Sequence, residues 1–140
     1  MNSIIKIAIV GLGQVGNYLY NEINIKKKDI ELKTGKKIKI VAISAKSKSK
    51  KRKFKIDKNI FYSNPIKIIS EVKPDILFEV IGQPDGISKR IVELALKNKI
   101  HVITPNKALI AKHGNNLAQL AEQNQVNLEL KPQLLEEYPF

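Results

Sequence analysis

Three groups of residues have the types and spacing to do chemistry. The first is Gly11-Leu12-Gly13-Gln14-Val15-Gly16, which places glycine at the first, third and sixth positions of a short run. That spacing suits a loop wrapped around a diphosphate. Gly11 permits a tight turn, Gly13 lets the backbone approach phosphate without an intervening Cβ, and Gly16 lets a following helix lie close on a sheet. The second is a basic stretch from Lys46 to Lys58, able to meet anionic groups. The third is Thr104-Pro105-Asn106-Lys107, which sets an ammonium group in the first turn of a helix. A cation there opposes the helix dipole, so helix stability does not account for it.

A glycine run of this kind is informative only between a buried strand and an amphipathic helix, and both flank it. Ile4 to Val10 is nearly all apolar and β-branched, as in a strand buried on both faces. Val15, Leu19 and Ile23 then recur at helical spacing towards Leu32, before Thr34-Gly35-Lys36 breaks the helix. The expectation is a nicotinamide-type dinucleotide with its pyrophosphate at the helix N-terminus.

Ile38 to Ser44 forms a second apolar strand, whose end selects between dinucleotides. NAD-selective sites usually carry a carboxylate there for the ribose 2′-hydroxyl. Here the chain reads Ser44-Ala45-Lys46-Ser47-Lys48, with no carboxylate until Asp57. NADP is therefore favoured, with NAD possible and Lys46 the candidate for the 2′-phosphate. The lysines beyond Lys48 also read as a solvated loop.

Asn64-Pro65 launches a short helix, with Asn as cap and Pro in the first turn. Asp75 to Val80 reads as a strand, Ile87 to Lys97 as a helix and His101 to Thr104 as a fourth strand. Asn106 caps a helix that Gly114 is expected to end, Asn115 starts another, and Val126 to Leu130 is a fifth strand. The alternation predicts an α/β fold: a Rossmann-type, doubly wound, mainly parallel sheet with helices on both faces. Residues 1–130 would form that domain, with 131–140 a weakly ordered or non-native tail. Ligands in such sheets lie beyond the carboxyl ends of the strands, at the switch point. Gly82 and Lys107 fall there, although each also reads as an ordinary loop or surface residue. Glu79, inside an apolar strand, is either paired internally or close to the site. His101 and His113 have no motif partner and read as surface residues.

The 140-residue length suits one core. Absence of cysteine excludes a disulfide framework and cysteine-ligated zinc. No apolar run reaches the length of a membrane span, and Met1 to Lys6 lack a secretory pattern, so no membrane partner and a cytoplasmic location are expected. The net charge of +12 leaves two readings open: attraction to a polyanion, or the joint abundance of Lys, Ile and Asn that follows AT-rich coding. Phe54 is the sole aromatic within the basic stretch up to Lys58, which disfavours a nucleic-acid partner.

Gly11 to Gly16, Val41 to Lys46, Phe78 to Gly82 and above all His101 to Gly114 resemble, in that order, homoserine dehydrogenase of the single-function bacterial type. The resemblance implies interconversion of L-homoserine and L-aspartate 4-semialdehyde with NAD(P), in threonine and methionine biosynthesis. It implies a catalytic Lys107 that contacts the nicotinamide end of the cofactor and borders the substrate. Lys46 matches a position that is usually arginine and binds the 2′-phosphate. The cofactor contacts expected are Gly11, Leu12, Gly13, Gln14, Val15 and Gly16 from the first turn, and Ala45 and Lys46 from the second strand. Ile81, Gly82, Thr104, Asn106 and Lys107 complete the set. Gln83 departs from the family, which commonly has a second glycine there.

After Leu130 the family continues into its substrate and dimerisation region with a segment close to Ala-Val-Ala-Gly-Gly-Ile-Pro-Ile. Permitted codons for Pro132 to Phe140, read one base out of phase, encode that segment. The expectation is a frameshift near the Lys131 codon, a cofactor-binding fragment inactive alone, and homoserine bound only if the missing region is supplied. A stand-alone nucleotide-binding regulatory module is the alternative, disfavoured because it has no need of a substrate-facing lysine.

Overall fold

The computed structural model describes residues 3–45 and 57–133. The expectations placed on Lys46, on the basic stretch up to residue 56 and on residues 134–140 of the tail lie outside the described residues.

The strands are β1 (Ile4–Val10), β2 (Lys37–Ser44), β3 (Phe61–Tyr62), β4 (Ile76–Glu79), β5 (His101–Thr104) and β6 (Leu128–Leu130). The helices are α1 (Gln14–Thr34), a short α2 (Pro65–Lys67) continued by a π-helical turn over Ile68–Val72, α3 (Gly86–Lys97) and α4 (Lys107–Gln123). All six strands pair in parallel in the order β3-β2-β1-β4-β5-β6. This is the doubly wound arrangement expected. The chain leaves β1 to one side for β2 and β3, then returns to its other side for β4, β5 and β6. The switch point therefore lies between β1 and β4.

Burial of β1 on both faces explains its unbroken apolar run. Ile7 and Ile9 face α1, packing with Leu19, Tyr20 and Ile23, whereas Ala8 and Val10 join a core with Ile91, Val92, Leu109 and Leu117 of α3 and α4. Parallel pairing aligns Val10 with Ser44 on one side and with Glu79 on the other. Three strand ends thus open onto one edge of the sheet. α1 stops where expected: Gly35, at φ 74°, donates its N–H to the Glu31 carbonyl at 2.8 Å. The α2 cap is also as read, with Asn64 Oδ1 accepting from Ile66 N–H at 3.0 Å.

Two expectations need correction. β3 went unanticipated because two residues are too short to carry periodicity. Gly114 does not end a helix; α4 runs through it to Gln123. Leu109, Leu117 and Ala121 are all buried in the core that α4 shares with α3, spanning the glycine. Burying those side chains outweighs the roughly 1 kcal/mol that a mid-helix glycine costs relative to alanine.

Candidate functional site

The turn from β1 to α1 follows the glycine spacing closely. Gly11 N–H and Leu12 N–H both donate to the Ser44 carbonyl, at 2.8 and 3.1 Å, tying the loop to the end of β2. Gly11 adopts φ +106°, and a Cβ on it would lie 2.7 Å from the Ile81 nitrogen at the end of β4. A Cβ on Gly16 would meet the Gly11 carbonyl oxygen at 2.1 Å. Those two glycines are needed by the fold itself. Gly13 differs: a Cβ there would have no neighbour within 4 Å. Gly13 is also the N-cap of α1, which has no side-chain cap and no acidic residue in its first turn. Space and partial positive charge at that end are left for an anion.

Beyond the ends of β1, β4 and β5 lies an open cleft of about 540 Å³, whose walls include Val15, Ile81, Gly82, Asn106, Lys107 and Pro132. Glu79, fully buried at the end of β4, organises its floor. Its Oε2 accepts from Ile81 N–H (2.9 Å), Gly82 N–H (2.9 Å) and Ser88 Oγ (3.0 Å). Its Oε1 accepts from Thr104 Oγ1 (2.6 Å) and Asn106 Nδ2 (3.2 Å). These donors offset the cost of taking a carboxylate out of water. Asn106 also donates to the Gln83 carbonyl at 2.7 Å, and its Oδ1 caps α4 at Leu109 N–H, 3.0 Å away. Both readings of Glu79 therefore hold, since it is internally paired and lies beside the cleft.

Those of the expected residues that are described fall at one edge of the sheet, in different states. Gly13, Gln14, Gly82 and Lys107 are exposed; Val15, Ala45 and Ile81 are half-buried. Leu12 is buried in the core facing α1, and Thr104 and Asn106 are buried with their side chains engaged in the Glu79 network. Lys107 opens α4 at the cleft wall.

Sequence reasoning missed Ser88. Its signal was a hydroxyl on the buried stripe that also carries Ile91, Val92 and Ala95. His113 was read as a surface residue, yet its ring is only 17% exposed and its Nε2 lies 2.7 Å from Asp85 Oδ1. Lys112 bonds the other carboxylate oxygen. The Lys112 hydrogen bond first, and His113 second, hold the Asp85 carboxyl below its ordinary range. No local pattern could have shown this link, because Asp85 sits at the start of α3 and its partners on α4. Among the described residues, no group of three His, Asp or Glu side chains is placed to hold a metal.

A dinucleotide suits this arrangement. The vacant space at Gly13 and the uncapped start of α1 match a pyrophosphate, and the cleft past Gly82 leads to Lys107, where the other end of an extended molecule would lie.

Comparison with known proteins gives the same direction. Residues 11–131 match the family model described as homoserine dehydrogenase, NAD binding domain. The chain is 29% identical over 127 residues to homoserine dehydrogenase of Neisseria gonorrhoeae, covering 91% of this chain and 29% of that protein. It superposes on the crystal structure of S. aureus homoserine dehydrogenase at pH 7.5 with a TM-score of 0.85 and 36% identity, covering 92% of this chain and 33% of that one. A hyperthermophilic archaeal homoserine dehydrogenase mutant, solved in complex with NADPH, shares the fold at TM-score 0.71 and 23% identity, over 91% of this chain and 43% of its own. The chain thus spans about a third or less of the bacterial relatives it matches.

Proposed function

This chain belongs to the homoserine dehydrogenase family through its NAD-binding domain, and from that premise we propose that residues 1–130 bind NADP, with NAD as a weaker ligand, for the oxidation of L-homoserine to L-aspartate 4-semialdehyde. The observation that carries the proposal is the pairing of an empty approach at Gly13 with a cleft that runs past Gly82 to Lys107.

When bound, the dinucleotide supplies a hydride acceptor. The protein's part is placement. Gly13 and the first turn of α1 hold the pyrophosphate by backbone amides and the helix field. Ala45 and Lys46 meet the adenosine ribose, with the Lys46 ammonium paired to the 2′-phosphate. Ile81 and Gly82 flank the middle of the molecule with backbone alone. Thr104 and Asn106 fix the turn that delivers Lys107, whose ammonium faces the nicotinamide ribose and borders the alcohol. Hydride transfer needs that alcohol held at near-attack distance. Because the match covers about a third or less of the bacterial relatives, homoserine binding falls to a part of such proteins beyond the matched region, and no turnover is expected of residues 1–130 by themselves.

Equilibrium titration of the chain with NADPH, followed by the cofactor's fluorescence, tests the reading. Saturable binding in the micromolar range is expected. No binding up to about 1 mM, an affinity worth only about 4 kcal/mol, overturns it.

A further inference from the structure

Glu79 has no access to solvent, so it cannot touch a ligand, yet its two oxygens bond both loops of the cleft, beside the direct tie that Asn106 Nδ2 makes to the Gln83 carbonyl. Through Oε2 it holds Ile81 N–H and Gly82 N–H of the β4–α3 loop, each at 2.9 Å. Through Oε1 it holds Thr104 Oγ1 at 2.6 Å, and Thr104 Oγ1 in turn accepts Asn106 N–H at 3.0 Å, in the turn before Lys107. Ser88 Oγ is a further strut: it donates to Oε2 and accepts Gln83 N–H, both at 3.0 Å. Both carboxylate oxygens act only as acceptors.

We infer that Glu79 is a positioning residue that sets Gly82 and Lys107 in a fixed mutual geometry and thereby aligns the nicotinamide half of the cofactor, while leaving the adenosine half untouched. The asymmetry follows from topology. The diphosphate loop and the end of β2 are tied to each other through the Ser44 carbonyl, and no hydrogen bond found for Glu79 reaches either of them. The inference rests on the dinucleotide reading above and assigns a cause to the order of one part of that site.

The test uses Glu79→Gln in the whole chain. An amide presents two donors where only acceptance is possible, so one group of bonds must open. Three readouts are needed: amide hydrogen exchange without ligand, affinity for NADPH, and affinity for adenosine 2′,5′-bisphosphate, which is the adenosine half alone. Expected are faster exchange at Ile81, Gly82 and Asn106 together and unchanged exchange at Ile9 and Ile43. NADPH affinity should fall about tenfold or more, the scale of a hydrogen bond to a charged group. Adenosine 2′,5′-bisphosphate should stay within about twofold. Equal weakening of both nucleotides, or faster exchange spread through β1 and β2, would reduce Glu79 to a core stabiliser and overturn the inference. If the unmodified chain bound neither nucleotide, the dinucleotide reading would fail, and the exchange pattern would still decide the coupling of the loops. Thr104→Val keeps the carboxylate and reads the same coupling should Glu79→Gln not fold. It must speed exchange at Gly82, whose N–H bonds Glu79 directly, by more than at Gln83, whose carbonyl Asn106 Nδ2 holds without Glu79, and Thr104→Ser must restore it. A Gly82 rate unmoved by Thr104→Val refutes the coupling.

Discussion

A methyl group on Gly16 would lie 2.1 Å from the carbonyl oxygen of Gly11, closer than any packed atoms can approach. Backbone rather than a flexible side chain stands in the way, so the β1–α1 turn would have to open. Gly13 meets nothing within 4 Å and already has extended dihedrals, φ −81° and ψ −154°, that alanine adopts without strain. The two substitutions should therefore separate fold from function.

Gly16→Ala should destabilise the chain by about 1–3 kcal/mol, the usual cost of overpacking, and weaken NADPH as a consequence. Gly13→Ala should leave the melting temperature within about 2 °C of the unmodified chain yet weaken NADPH by about tenfold or more, because its Cβ would occupy the phosphate approach. Thermal melts and NADPH titrations of both variants check this. Unaltered NADPH affinity in Gly13→Ala would place the phosphate elsewhere.

The Asp85 link between the starts of α3 and the middle of α4 makes a prediction about acid. Its carboxyl is held below the ordinary range by the Lys112 hydrogen bond first and His113 second. A depressed carboxyl contributes stability that is complete above its unfolded value, about pH 3.9, and is lost as pH falls through the lower folded value. Asp85→Asn should thus melt below the unmodified chain at pH 7, and the two melting curves should converge as pH drops below about 3.9. The gap should be small and salt-sensitive, because Asp85 and Lys112 are both about half exposed, at 47% and 56%. Curves that already coincide at pH 7 would show that the pair adds nothing to stability, and a gap that stays constant down to pH 2.5 would show that it does not come from the ionised Asp85.

Much of this architecture was legible from local pattern. The apolar run of β1 and the glycine spacing declare a buried strand followed by a close turn, and Asn64-Pro65 declares a helix start, because these features act through neighbours in sequence. What escaped was set by distant residues. Glu79 could be seen to be unusual within its strand, but its partners Thr104 and Asn106 lie 25 and 27 residues away. Asp85, Lys112 and His113 meet only because α3 packs on α4. Gly114 misled because its local propensity points one way and tertiary burial of Leu109, Leu117 and Ala121 the other.

That conflict at Gly114 can be measured. In a continuous α4, alanine at this position should stabilise the chain by about 0.5–1 kcal/mol, through a less mobile unfolded state and a better helix. Its Cβ would meet Ile110, with Cγ2 at 3.1 Å, a half-buried side chain packed against the core that must give by a few tenths of an ångström for the gain to appear. Denaturant unfolding of Gly114→Ala measures the balance of helix gain and Ile110 crowding. A loss of more than about 1 kcal/mol would mean that Ile110 cannot give way to the added methyl and that crowding outweighs the helix gain.

Cofactor choice gives the remaining prediction, and it turns on the end of β2. Ser44 spends its carbonyl on Gly11 and Leu12, and no carboxylate follows between Ala45 and Asp57 to accept a ribose 2′-hydroxyl. Lys46 stands one residue beyond Ala45 and offers an ammonium instead. On the proposed role of Lys46, a 2′-phosphate would gain a charge-assisted contact there, whereas NAD would lack the acceptor that NAD-selective sites provide. NADPH should bind about tenfold more tightly than NADH at low salt, the lower end of what a hydrogen bond to a charged group contributes. The gap should narrow between about 0.1 and 1 M salt, as the screening length falls from about 10 to 3 Å. Lys46→Glu should reverse much of the preference, by repelling the phosphate and supplying the missing acceptor. Isothermal titration of both nucleotides against both chains measures each of these effects. An unmodified chain that prefers NADH would sink the assignment of Lys46, and a preference that ignores salt would mean that something other than this charge selects the cofactor.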